Sequence, residues 1–465
     1  VRRWVGAALV VGGLGASAGA QPPTPSTAPT PPTATAAADD AVLTELIAQS
    51  LAARPELAQA RALERAERER APQVTAHADP MLAVGIQNDG FTSWQVGKME
   101  TSFLSIMASQ TLPWPGKRAL RGEVATLAAK ASGQVVARLL LATEAEVRRG
   151  YLALMVARER LGLLDELEAV WERSAAVARF RAESGQGAQA DVLRAQLELN
   201  RMKTRRWALQ AEVATAIAGL NRLRGHRLDE LITPPRRLAE LALPVAPVTG
   251  ADGPALADAV ARSPELAVAA LATTSAAQAT ALAGKATLPD LTVSVGLMVR
   301  GTDLPPMWLA TIGGPLPIFG EGRKAHAVAE GEARQAAAAA GAQAVRELIG
   351  LRVVQRRTAL AATLATIGLY QGGLLIQSAA TADSTLSQYQ VGKLGFASVL
   401  EANAGLIADR EGYLYALAQA HGLAIDAAEV NLGPSAPGAG GAPASGGPAM
   451  GGGGGEAGGG GVGGM

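Results

Sequence analysis

The feature that most constrains this chain is that its middle is written twice. Arg54-Pro55-Glu56-Leu57 recurs as Ser263-Pro264-Glu265-Leu266, and Leu112-Pro113-Trp114-Pro115-Gly116 as Leu316-Pro317-Ile318-Phe319-Gly320. Gly185, followed by Asp191-Val192-Leu193, is echoed by Gly392 and Ser398-Val399-Leu400. The offsets are 209, 204 and 207 residues, three matches in one order at nearly constant spacing. Such self-similarity marks tandem copies of one structural unit. We divide the chain into repeat 1 (39–235), a linker (236–254) and repeat 2 (255–432).

Within each copy the order of elements is the same. A helix opened by proline comes first, because the N–H that proline lacks has no partner in a first turn. Two short segments then alternate with period 2. In repeat 2, Leu291, Val293, Val295, Leu297 and Val299 share one face, and Trp308, Ala310, Ile312 and Leu316 share another. The alternation predicts strands near 81–88, 101–112, 290–300 and 307–317. Long proline-free stretches follow, predicting helices near 117–183 and 323–390, with Leu120, Val124, Leu127, Ala131 and Val135 as a coiled-coil-like seam. After a glycine turn, shorter helices near 188–224 and 396–431 return antiparallel. The fold class is mainly α with a small β part. Strands of roughly ten residues are also what a membrane β-barrel uses.

Residues 358–382 are 25 consecutive uncharged residues, enough on length for a membrane-spanning helix. The repeat argues otherwise. The corresponding stretch 151–175 carries Arg158, Glu159, Arg160, Asp165 and Glu166, and equivalent helices should share a solvent.

The ends differ from the middle. Arg2 and Arg3, the apolar run to Leu14 and Ala18-Gly19-Ala20 predict a signal peptide over 1–20. Residues 21–38 are a Pro/Thr/Ala-rich leader, and 433–465 a Gly-rich tail expected to be disordered.

Composition excludes several functions. The chain has no cysteine, which removes disulfides, thiolate metal sites and thiol catalysis. Lys plus Arg is 42 against 41 acidic residues, so no basic footprint for nucleic acid exists. His77, His226, His326 and His421 lie far apart with no H-E-x-x-H pair, and Gly116-Lys117-Arg118 lacks the spacing of a phosphate-binding loop. The nine methionines are scattered along the sequence without a clustered motif. We therefore expect no enzyme, no cofactor and no metal site.

Two copies of helix, strand pair, long helix, glycine turn and returning helix resemble the TolC-like outer-membrane efflux protein family. The resemblance covers roughly residues 40–432. Its most specific parts are Tyr389-Gln390-Val391-Gly392-Lys393-Leu394 with Ser398-Val399-Leu400-Glu401-Ala402, and Gly185 with Asp191-Val192-Leu193-Arg194-Ala195-Gln196. The Leu112–Arg118 stretch resembles the strand-to-helix junction of the branch serving heavy-metal pumps.

The resemblance implies a homotrimer in which four strands per chain build a 12-stranded barrel in outer-membrane lipid, above a periplasmic α-helical tunnel. It implies a passive exit duct, coupled through a periplasmic adaptor (membrane-fusion) protein to an inner-membrane pump of resistance-nodulation-division or ABC type. Cargo would be heavy-metal cations or small toxic compounds. Asp191 and Tyr389 match the family's tip latch, and Glu401 matches one position of an acidic entrance ring. The turns carrying Gly185, Val391, Gly392 and Leu394 match the adaptor-docking tips. Ser398 and Leu394 replace residues that are often acidic and basic there, so a double acidic ring and a basic latch are not implied. On chemistry alone, Asp191 could equally serve a helix dipole, Tyr389 packing and Glu401 a solvated face. The competing reading is a periplasmic coiled-coil adaptor or scaffold. An adaptor would show one hairpin in a β-rich domain, and a scaffold leaves the strand pairs unexplained.

Overall fold

The structure is a computed structural model that describes residues 40–245, 252–316, 318 and 320–433. The expected signal peptide, leader, Gly-rich tail beyond Gly433 and residues 246–251 of the linker lie outside the described residues. In chain order the elements are α1 (Ala41–Ala53), α2 (Pro55–Thr75), β1 (Met81–Gln87), β2 (Phe103–Leu112), α3 (Lys117–Glu183) and α4 (Gln189–Arg224). Then come α5 (Asp252–Arg262), α6 (Pro264–Gly284), β3 (Leu291–Val299), β4 (Met307–Gly313), α7 (Gly320–Leu369), α8 (Leu375–Gln390) and α9 (Phe396–Glu429).

Pro55 and Pro264 each occupy the first helical turn, and Ser263 caps α6 by accepting from the Leu266 N–H at 3.2 Å. Each proline helix is preceded by a short helix, α1 or α5, that the alternation of residues did not predict. Strand β4 ends at Gly313, four residues earlier than expected. Gly314 and Pro315 follow, and proline cannot donate to a sheet ladder.

The α3 seam also differs from the expected stripe. Val135 is 54% exposed while Val136, Ala125 and Ala129 are buried. The cause is packing from two sides: α2 and α6 both lie along α3, so its buried positions do not form one line. At 67 unbroken residues α3 is about 100 Å long if straight. Its partner, expected to be one helix from 323, starts at Gly320 and is interrupted by a π-turn over Tyr370–Leu374. The extra residue there shifts the helix face. Tyr370 packs edge-on against Tyr413 of α9 at 6.2 Å, and Gln371 donates to the Tyr413 hydroxyl at 2.9 Å. Gly412 makes this possible, since a Cβ there would lie 2.4 Å from the Tyr370 hydroxyl.

The four strands form one antiparallel sheet in the order β1-β2-β3-β4, so the central pairing joins the two repeats. Register sorts the side chains by face. Ile106 lies between Val84 and Leu297, and Leu297 opposite Trp308, giving one continuous apolar face. That face is bare in the single chain: Val84 is 72%, Ile312 75% and Trp308 78% exposed. The opposite face is mixed, with Ser105, Ser109, Ser294 and Thr311 alongside Phe103, Leu309 and the strand methionines.

Polar ties hold the repeats together near the sheet and along the upper helices. Lys117 is buried and donates to Leu288 O at 2.6 Å and Asp290 at 2.9 Å. Further along, buried Glu429 accepts from Arg138 at 2.6 Å and also pairs with Arg149, which reaches Asp426 at 3.0 Å. Arg262 and Arg352 donate to the carbonyls of Ala428 and Leu432 at 3.1 and 3.3 Å. The Ala428 carbonyl, and that of Glu429 bonded by Arg138 at 3.0 Å, are ones that the end of α9 leaves without helical partners.

Three helical stretches, Lys117–Glu183, Pro264–Gly284 and Gly320–Gln390, are long and apolar enough to cross a membrane by length and composition. Their most apolar windows are only 22%, 0% and 17% buried.

Candidate functional site at the hairpin turns

The two hairpin turns are built alike. α3 ends where Gly185 takes φ +71°, and α8 ends where Gly392 takes φ +77°. In each, the residue after the glycine bonds back five residues, Gln186 to Arg181 O at 2.8 Å and Lys393 to Gln388 O at 2.9 Å. This left-handed glycine cap closes a helix while turning the chain sharply, and side chains with a Cβ are strained there.

The turns bring the sequence-predicted pair together. Asp191 sits in the first turn of α4, and the Tyr389 hydroxyl donates to its Oδ2 at 3.1 Å. Tyr389 is 2% exposed, and its ring lies 5.3 Å from that of Phe396. Burial pushes the Tyr389 phenol up to about 12, aided by the hydrogen bond and charge of Asp191 and opposed by Arg181. Arg194 approaches Asp191 at 3.6 Å.

Arg181 is the residue the sequence reading missed. Its guanidinium lies over the Tyr389 ring, 4.7 Å from the centroid, and donates to Tyr389 O and, at 2.8 Å, to Gln186 O. A Cβ on Gly392 would sit 3.4 Å from its terminal nitrogens. One side chain thereby joins both turns. The available signal was a cation in the last turn of a helix ahead of a glycine cap, where it complements the helix dipole. Nothing in that pattern says that the cation also reaches a second hairpin.

Gly185, Val391, Gly392 and Leu394 are exposed at the turns, with Val391 68% and Leu394 37% accessible. Glu401 is not part of the Asp191–Tyr389 contact. It lies exposed in an open groove of about 610 Å³ between α4 and α9, floored by Trp171 and shared with Arg201, Arg205 and Glu411. Below the charged rim, Asn403 of α9 donates to Ser174 of α3 at 3.2 Å, both buried. Among the described residues no group of three His, Cys, Asp or Glu side chains could hold a metal ion.

Comparison with known proteins gives the same picture. Residues 255–422, inside the second repeat, match the family model described as outer membrane efflux protein. A sequence search of curated proteins returns no match. Among solved structures, the outer-membrane channel OprN is 20% identical at a TM-score of 0.71, covering 84% of this chain and 90% of its own. CusC, described by its transmembrane channel formation, is 18% identical at 0.68, covering 84% and 92%. The outer membrane protein VceC of Vibrio cholerae is 17% identical at 0.68, covering 84% and 96%. The fold is therefore that of the solved outer-membrane channels. Over residues 255–422 the family match agrees with the resemblance read from the sequence.

Proposed function

We propose that three copies of this chain assemble into an exit duct across the outer membrane and periplasm. The observation that carries this is the four-stranded sheet, with an exposed apolar face and open edges at β1 and β4. In lipid an unpaired strand edge leaves backbone donors and acceptors without partners, at several kcal/mol per group. Pairing β4 of one copy with β1 of the next removes every edge, and three copies make a twelve-stranded barrel. The continuous apolar face then meets lipid and the mixed face carrying the serines lines the lumen. The nearly unburied apolar surfaces of α3, α6 and α7 support the same assembly, because helices of neighbouring copies would cover them. The division into two repeats belongs to this reading, since each repeat contributes one strand pair and one hairpin to the ring.

The hairpin turns form the periplasmic entrance. Asp191 and Tyr389 act as a latch between the hairpins, Arg181 clamps both turns, and the exposed Val391, Leu394, Gly185 and Gly392 receive the adaptor. Glu401, repeated by the three-fold axis, forms an acidic ring that attracts cations. An inner-membrane pump of resistance-nodulation-division or ABC type supplies the energy, and heavy-metal cations or small toxic compounds are the cargo. The test is the mass of the detergent-solubilised particle from fractionated cells. Three chains per particle from the outer membrane are expected, and a soluble monomer would refute the shared barrel.

A further inference from the structure

The methionines that look scattered in the sequence are not scattered in the sheet. Four of the nine lie in strands: Met81 in β1, Met107 in β2, Met298 in β3 and Met307 in β4. Strand register puts all four on the face that carries the serines and none on the continuous aliphatic face. Met298 stands directly opposite Met307, and Met107 opposite Gly296, the residue two before Met298 on the same face. The Met107 side chain lies across that glycine, its Cγ 3.6 Å from where a Cβ on Gly296 would sit. Directly opposed Cβ atoms on one sheet face are about 5 Å apart and diagonal ones about 7 Å, within reach of three flexible thioether side chains. Met107 and Met298 are half-buried and Met307 is 39% exposed, so the sulfurs remain accessible from that face.

Grouping on this face is the informative point. Phe103 and Leu309 also lie on this face, so what sets the methionines apart is their grouping: Met298 stands between Ser105 and Met307, with Met107 on the diagonal. The four strands also contain no charged residue and no histidine. The donors they offer a passing ion are therefore hydroxyls, the Gln87 and Gln110 amides, backbone and thioethers. Thioethers are soft, neutral ligands that select Cu(I)-like ions over hard, strongly hydrated cations. Neutral donors also release such an ion more readily than a thiolate, and the chain has no thiolate to trap it.

We propose that Met107, Met298 and Met307 form a thioether site in the barrel lumen for a soft monovalent metal ion, Cu(I) or Ag(I), as cargo. The proposal rests on the channel reading, because this face is a lumen only when the sheet closes. It narrows the cargo to soft metal ions.

The test uses the full chain reconstituted in planar bilayers, with silver nitrate added in chloride-free buffer. Wild-type channels should lose conductance reversibly on silver addition. The triple variant Met107→Leu, Met298→Leu, Met307→Leu keeps side-chain volume but removes the sulfurs, and should lose the block. The double variant Met155→Leu, Met202→Leu, altered only at sites buried among the helices, should retain it. Conducting channels with equal silver block in all three proteins, or with none in the wild type, overturn the thioether site and leave the channel standing. Absence of any conductance from the wild type and from the unlatched Tyr389→Phe variant alike overturns the channel reading itself. Should the triple variant not assemble, Met298→Leu alone and equilibrium dialysis against silver nitrate decide the question. Fewer silver ions bound per chain than in the wild type supports the site, and equal binding refutes it.

Discussion

Replacing Tyr389 by phenylalanine removes one hydroxyl and leaves the rest of the turn in place. The ring keeps its contact with Phe396 at 5.3 Å and its position under the Arg181 guanidinium at 4.7 Å. What is lost is the 3.1 Å hydrogen bond to the Asp191 carboxylate. Bonds to charged groups contribute about 1.5–3 kcal/mol each. The loss here belongs at the lower end, since Asp191 retains Arg194 at 3.6 Å and sits in the first turn of α4, where the helix dipole favours a carboxylate. In the proposed trimer, three latches releasing together amount to about 4–5 kcal/mol, which shifts the balance between latched and open tips by roughly a thousandfold. Single-channel recording in planar bilayers reads this as open probability. Asp191→Asn should act in the same direction, and the two changes combined should do little more than either alone, because they break one bond. Unchanged opening in intact Tyr389→Phe trimers, or fully additive effects of the two substitutions, would refute the latch.

Arg181→Ala removes the clamp between the turns as well as the stacking on Tyr389, and should raise open probability more than Tyr389→Phe does in the same recordings. Because Arg181 holds the phenol down, its loss should also move the alkaline phenolate transition of Tyr389 above its value of about 12. With the phenol raised from its usual value, the stability its neutral form contributes is complete below about pH 10 and lost as pH rises towards 12. Latch opening should therefore be flat with pH across the neutral range, and a steep conductance change near neutrality would contradict Tyr389 as the controlling group. Glu429→Gln leaves Arg138 and Arg149 facing a neutral group at a buried position, each keeping one carboxylate, Glu265 or Asp426, and should lower stability by about 1–3 kcal/mol in denaturant unfolding. Gly412→Ala places a methyl 2.4 Å from the Tyr370 hydroxyl and should cost about 1–3 kcal/mol, with Tyr370→Phe recovering part of it.

How much of this was legible depends on whether the signal was local. Period-2 alternation and proline-free runs are properties of a single segment, so the four strands and the long helix from Lys117 stand near their expected positions. The glycine turns were legible for the same reason, since φ above zero at Gly185 and Gly392 is a one-residue requirement. Other features depend on partners far away in sequence. The displaced α3 seam needs two flanking helices, and the π-turn at Tyr370 needs Gly412 some forty residues on. Arg181 looked like an ordinary helix-terminal cation until the second hairpin supplied Tyr389 beneath it. The methionines are the clearest case. Met107 and Met298 are 191 residues apart in sequence, and only the β2–β3 pairing across the two repeats puts them on one face.

The cross-repeat ties also divide the molecule by strength. Near the sheet and the upper helices, the repeats are joined by ionic contacts at least partly withdrawn from water: Lys117 with Asp290, and Arg138 and Arg149 with Glu429. Breaking one partner of such a pair leaves a charge with poor solvation, which makes these joints costly to open. Towards the turns the joints change character. Arg410 meets Glu166 at 2.6 Å as an exposed pair of the kind usually contributing under about 1 kcal/mol, and the Tyr389–Asp191 bond has one neutral partner. In the proposed channel, the barrel must not come apart in lipid, whereas the entrance has to open under the modest free energy that a docking partner supplies. The grading from buried ion pairs to the Tyr389–Asp191 bond and the Arg181 contacts with backbone carbonyls meets both demands within one continuous pair of hairpins. It follows that stability and opening are separable by position: Glu429→Gln should lower unfolding stability at unchanged open probability, and Tyr389→Phe should do the reverse.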